Sequence, residues 1–116
     1  ELLSTAPDYL RFLRALRDGE LLGAEHLAML RSDQVPASAK QPGSFFSGFW
    51  EQTGWGFGVS VVADGPHRGR WSWSGGAGTD FFVDPDGTLG LLLTQVELGP
   101  RVMLLLEAFG ELSPPA

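Results

Sequence analysis

The chain has 116 residues, the size of one ordinary domain, and 43% of them are hydrophobic, enough to build a core. Its formal charge is −6, and seven of its eight basic residues are arginines scattered along the chain, which argues against a phosphate backbone and so against nucleic acid as a partner. There is no cysteine, which excludes disulfides, thiolate metal sites and a cysteine nucleophile. No run approaches the roughly 18 apolar residues of a membrane span, and no basic region leads into an apolar stretch at the N-terminus, so the chain as given is expected to be soluble, with no membrane partner.

The first element opens on a capping box. Thr5 can accept from the backbone N–H of Asp8 while the Asp8 carboxylate reaches back, and Pro7 is tolerated in the first turn. Leu10, Leu13 and Leu16, with Tyr9 and Phe12 beside them, recur at three- and four-residue spacing, Arg11, Arg14 and Arg17 line another side, and Gly19 is a natural stop. A second, shorter helix is expected from Glu25 to Ser32, burying Leu27 and Leu30, so that residues 1–34 read as helical. In residues 35–54, proline, serine and glycine mix with Phe45, Phe46, Phe49 and Trp50, which suits an ordered loop. Its aromatics either cover a sheet edge or helix, or line a substrate cleft.

Residues 55–96 read as a β-meander of three strands. In the first, Phe57, Val59 and Val61 alternate with small residues until Asp64-Gly65-Pro66 breaks the run. The second runs from about Arg70 to Val83, interrupted by Ser74-Gly75-Gly76-Ala77-Gly78. Asp84-Pro85-Asp86-Gly87 has the proline and glycine placement of a type I turn, and Leu89 to Val96 forms the third strand. Over residues 99–112, Gly99-Pro100 opens a last helix whose apolar residues, from Val102 to Leu112, occupy most of its circumference, so it is expected to be largely buried against the sheet. The fold class is α+β: a three-stranded antiparallel meander with a packed C-terminal helix and two N-terminal helices.

Several motifs carry no chemistry of their own. The glycines after Trp73 are followed by no Lys-Ser or Lys-Thr, so they do not make a nucleotide loop. Gly54-Trp55-Gly56-Phe57-Gly58 opens a strand, and close packing of that strand on another element explains its glycines. His26 and His67 have no ligand spacing between them, so no metal site is expected. Asp84 and Asp86 are first of all turn residues.

A resemblance rises above this background. The stretch Ser4-Thr5-Ala6-Pro7-Asp8-Tyr9-Leu10-Arg11-Phe12 resembles a helix start of the serine β-lactamase and penicillin-binding-protein-like superfamily, in particular its class C and family VIII esterase branch. It is followed in the family's order by Gly54-Trp55-Gly56-Phe57-Gly58-Val59, Trp73-Ser74-Gly75-Gly76-Ala77-Gly78-Thr79, Phe81-Phe82-Val83-Asp84-Pro85 and Leu91-Leu92-Leu93-Thr94-Gln95. The likeness implies the C-terminal part of a serine acyl hydrolase that works through an acyl-enzyme without metal or cofactor on an ester or amide substrate. Of the family's three motifs, S-x-x-K, Y-x-N or S-x-N, and K-T-G, it implies a counterpart only for the third, Trp73-Ser74-Gly75. It also implies that the Gly76 N–H is one of two oxyanion donors, the other being the N–H of the acylated serine.

The other two motifs are absent as a matter of sequence: Ala37 stands three before Lys40, the sole lysine, and there is no asparagine. The chain alone is therefore not expected to acylate, and the resemblance implies that its nucleophile lies upstream in a missing N-terminal part. Tryptophan in place of the K-T-G lysine removes the cation that meets a β-lactam carboxylate, which favours a neutral ester. Phe45, Phe46, Phe49 and Trp50 are the candidates for lining the cleft. Residues 73–79 can also be read as a glycine bulge with no chemistry, and two other functions stand beside this one: a catalytically dead family member used as a binding module, with the aromatic loop as its contact surface, or a structural domain assembling through its sheet edge, as in a homodimer through Leu89 to Val96.

Overall fold

The computed structural model describes residues 2–112. Helix α1 spans Ala6–Arg17, with Thr5 as its N-cap accepting from the Asp8 N–H at 3.3 Å. The Asp8 carboxylate does not return to the backbone; it accepts from the Thr5 hydroxyl at 3.1 Å and from Arg11 at 2.9 Å. Helix α2, Ala24–Leu30, is shorter at its C-terminal end than the expected Glu25 to Ser32. The aromatic segment is not wholly a loop: it contains a 3₁₀ turn at Ala37–Ala39 and the one-turn helix α3, Phe49–Gln52, and the sheet begins inside it, at Thr53.

Five strands, not three, form the sheet: β1 (Thr53–Trp55), β2 (Ser60–Val62), β3 (Trp71–Gly75), β4 (Thr79–Val83) and β5 (Leu89–Leu93). They are antiparallel and follow chain order across the sheet. The extra strands come from two glycine turns, the first read in sequence as the opening of a strand and the second as an interruption of one. Gly56 N–H donates to the Val59 carbonyl at 2.9 Å with Gly58 at φ 81°, and Gly78 N–H donates to the Gly75 carbonyl at 3.1 Å with Gly78 at φ 67°. Each reverses the chain where glycine alone takes positive φ readily. The expected third strand also stops early, at Leu93, because residues 94–98 turn back over the β3–β4 hairpin.

Successive strand residues face opposite sides of the sheet. On one side Trp71, Phe81, Val83 and Val61 form a buried core with Leu13 and Leu16 of α1 and Leu27 of α2. Gly54 in β1 and Gly56 just after it let α2 and the segment after it come close. A Cβ on Gly56 would run into the Leu30 carbonyl and one on Gly54 into the Asp33 side chain, so close packing accounts for both. Burial works to raise the Asp33 carboxyl, but the Lys40 ammonium and the N–H groups of Trp55 and Val35 prevail and hold it below the usual carboxylate range.

The other side carries helix α4, Pro100–Gly110, which buries Val102, Leu106 and Phe109 at i, i+4 and i+7, with Phe109 5.1 Å from Phe82. The expectation of a largely buried helix is corrected here. Met103, Leu104 and Leu105 are exposed, Leu104 by 78%, because the sheet covers only one stripe of the helix. Arg70 ties the end of α4 to the sheet. It forms a fork with Asp84 at 2.7 and 2.9 Å, donates to the carbonyls of Gly110 at 2.5 Å and Leu112 at 2.6 Å, and stacks 3.9 Å from the Phe82 ring centre. A cation at a helix C-terminus meets both the unpaired carbonyls and the negative end of the dipole.

Candidate active site

Trp73 sits in the middle of β3, opposite Phe81 in register. Its ring lies 4.5 Å from Trp55, 5.7 Å from Phe45 and 6.4 Å from Phe49. Phe46 packs at 4.9 Å on both Phe45 and Phe49, so two of the four aromatic candidates lie on Trp73 and a third lies against those two. Phe45 takes φ 69°, uncommon for a bulky side chain, and is 62% exposed. Trp50 does a different job: its indole N–H donates to the Ser44 hydroxyl and carbonyl at 2.9 and 3.1 Å, pinning the loop, and Lys40 lies 5.7 Å from its ring centre. Trp55 belongs to the aromatic group although the sequence places it only on a strand.

Ser74 points its hydroxyl to the Asp80 carboxylate, its partner in register, at 2.9 Å. Burial raises the Asp80 carboxyl above the ordinary carboxylate range, partly offset by the Ser74 hydroxyl, the Phe81 N–H and the charge of Arg70. Asp80 lines a cavity of about 290 Å³ with Gln52, Asp64, His67 and Phe109 on the α4 side. A second cavity, of about 720 Å³, lies beside Arg17 and Asp86. Trp73, Ser74, Gly75 and Gly76 line neither of these two cavities.

These residues end in the tip of the β3–β4 hairpin. A Cβ on Gly75 would collide with the Thr79 hydroxyl, whereas one on Gly76 would meet nothing within 4 Å. Gly76 is exposed, and among the described residues no backbone carbonyl accepts its N–H. His26 is exposed on α2 and His67 lies in the β2–β3 loop; among the described residues no three histidines or carboxylates gather as a metal site would require.

The family model described as Beta-lactamase matches residues 1–103. The chain belongs to the Beta-lactamase family. Two Mycobacterium tuberculosis proteins, Protein Rv1367c of strain H37Rv and Uncharacterized protein MT1414 of strain CDC 1551, are each 37% identical to it over 78% of this chain and 26% of their own. The solved structure of EstCE1, described as a hydrolase with promiscuous acyltransferase activity, superposes with a TM-score of 0.66 at 25% identity, covering 91% of this chain and 29% of that one. The chain thus spans between a quarter and a third of the length of these relatives.

Within this Beta-lactamase-family chain, the sequence singled out Trp73, Phe45 and Phe49, which meet in the structure, but not Trp55, Asp80, the Arg70–Asp84 fork or the segment after β5 that closes on the hairpin. Asp80 carried a legible signal, as a lone carboxylate entering an otherwise apolar strand. The others are contacts between residues far apart in the chain, with no local pattern to betray them.

Proposed function

We propose that the chain supplies one wall of a serine acyl hydrolase. Trp73-Ser74-Gly75 stands in for K-T-G, Gly76 N–H is one of two oxyanion donors, and the acylated serine lies outside these 116 residues. The observation that carries the reading is the Gly76 N–H, exposed just past the end of β3 with no described backbone acceptor, three residues along the chain from a tryptophan set among aromatics. Donors held ready for an oxyanion are the strongest single contribution a wall of this kind makes, and a free backbone N–H needs no side chain to make it. The serine oxygen adds to the acyl carbon as it loses its proton, the tetrahedral intermediate collapses by expelling the ester's alcohol, which takes up a proton, and the acyl-enzyme so formed then yields its acyl group to water or another nucleophile. Acyl transfer of the kind named for EstCE1 fits such an intermediate.

The substrate class follows from Trp73. An apolar ring stands where the family's lysine would meet a carboxylate, and Phe45, Phe46 and Phe49 extend the apolar surface, which suits a neutral ester better than an anionic β-lactam. Steady-state rates of the full polypeptide on neutral p-nitrophenyl esters and on nitrocefin test this. Esters should be turned over at least tenfold more efficiently, and Trp73→Lys should narrow the gap. A preference for nitrocefin in the unaltered protein would contradict the assignment.

A second reading is favoured by the exposed Leu93 on outermost strand β5 and by Met103, Leu104 and Leu105 on α4. In that reading the chain is an assembly module, and its partner is the remainder of the same fold or a second copy paired through β5.

A further inference from the structure

We infer that Thr94 is a positioning residue for the Gly76 N–H, an inference that rests on the reading of Gly76 as an oxyanion donor. Ser74-Gly75-Gly76-Ala77-Gly78 has almost no side chains with which to hold its own shape, and glycines give up the most conformational freedom when fixed. A donor that must be ready before the charge develops cannot be left to such a turn alone. The order has to come from a neighbour.

The segment after β5 provides it by folding back across the hairpin tip. The Thr94 hydroxyl donates to the Gly78 carbonyl at 2.7 Å, and the Thr94 N–H donates to the same oxygen at 3.2 Å. The same hydroxyl accepts from the Val96 N–H at 3.1 Å, and Leu98 N–H donates to the Gly76 carbonyl at 2.8 Å. Gln95, at φ 57°, makes the reversal. Contact is close enough that a Cβ on Gly78 would run into Thr94 Oγ1 and the Val96 carbonyl.

Across the turn, Gly78 N–H holds the Gly75 carbonyl at 3.1 Å. A trans peptide is planar, with its N–H opposed to its C=O, so drawing the Gly75 carbonyl into the turn sends the Gly76 N–H outward. Gly78 is the hub of this arrangement, since its N–H orients the donor peptide while its carbonyl is held by Thr94. Loss of the Thr94 hydroxyl should therefore loosen Gly78 and, through it, the direction of the Gly76 N–H.

Two measurements on Thr94→Val and Thr94→Ser test this. In the 116-residue chain, nitrogen-15 relaxation and amide exchange should show Gly76 to Gly78 more mobile in Thr94→Val, unchanged in Thr94→Ser, and β3 and β4 unaltered in both. In the full polypeptide, Thr94→Val should lower kcat on a p-nitrophenyl ester by about 10- to 100-fold with KM within about twofold, the scale of a small misplacement of a reacting group, and Thr94→Ser should restore most of it. A turn that stays ordered in Thr94→Val, or one that loosens with kcat unchanged, overturns the inference. A wild-type polypeptide that forms no acyl-enzyme overturns the oxyanion reading of Gly76 and the inference with it. That failure is told apart because the turn amides would still respond to Thr94→Val.

Discussion

Replacing Arg70 by methionine removes a buried cation while leaving most of its volume filled. Arg70 and Asp84 are 4% and 8% exposed, so solvent screens their interaction little, and the fork between them is bidentate. Arg70→Met strands the Asp84 carboxylate in the interior and frees the Gly110 and Leu112 carbonyls that Arg70 holds. Removing one member of a buried pair costs about 3–5 kcal/mol, and the helix C-terminus adds about 0.5–1 kcal/mol. Against a total stability of about 5–15 kcal/mol, that loss is at least about a quarter of the whole. Urea unfolding of Arg70→Met, Asp84→Leu and the double variant is the assay. Both single variants should lose at least about 3 kcal/mol, and the double variant should recover part of the loss because no charge is left unpaired. Single losses below about 1 kcal/mol that simply add in the double variant would refute the account of Arg70 as the clamp between the sheet and α4.

Gly56→Ala should destabilise the chain by about 3 kcal/mol, the upper end of overpacking, because its Cβ meets the Leu30 carbonyl, while Gly76→Val should change stability by less than about 1 kcal/mol. In the full polypeptide the same Gly76→Val should slow acylation by about 10²–10³, and activity within a few-fold of wild type would remove Gly76 from the site. The raised Asp80 carboxyl means that the fold favours its neutral form. Its penalty is therefore absent at low pH, grows as pH rises through the ordinary carboxylate value, and is complete above the raised folded value. Asp80→Asn should accordingly be more stable relative to wild type at about pH 7 than at about pH 3, and equal urea midpoint differences at the two pH values would contradict this. Uncharged β5, Leu-Gly-Leu-Leu-Leu, is an edge open to pairing, so light scattering should show mass rising above 12.5 kDa with concentration; a constant monomer mass would contradict it.

Helix α1 was legible because its cap and its apolar spacing are local facts of sequence, and the turn at Asp84 to Gly87 was legible for the same reason, with Gly87 N–H donating to the Asp84 carbonyl at 2.9 Å. Strand number was not. A glycine run inside an extended segment reads alike whether it bulges or reverses, and only pairing such as Ser74 with Asp80 or Trp55 with Ser60 tells the two apart. The packing of Phe45 and Phe49 on Trp73 was not legible, because residues 24 or more apart in sequence meet through the sheet and no periodicity encodes that; the sequence left these aromatics either covering a sheet edge or helix or lining a cleft. Arg70 gave no warning at all: its partners, Asp84 and the end of α4, lie 14 and 40 or more residues away.

Intact-mass analysis after treatment with a fluorophosphonate probe tests most directly whether these residues form one wall of a serine acyl hydrolase. The 116-residue chain, with no Ser-x-x-Lys, should take up no probe and turn over no ester, while the full polypeptide should gain one adduct on a serine outside these residues, more slowly while an ester substrate is present in excess. A stoichiometric adduct on any serine of this chain, or none on the full polypeptide, would contradict the account.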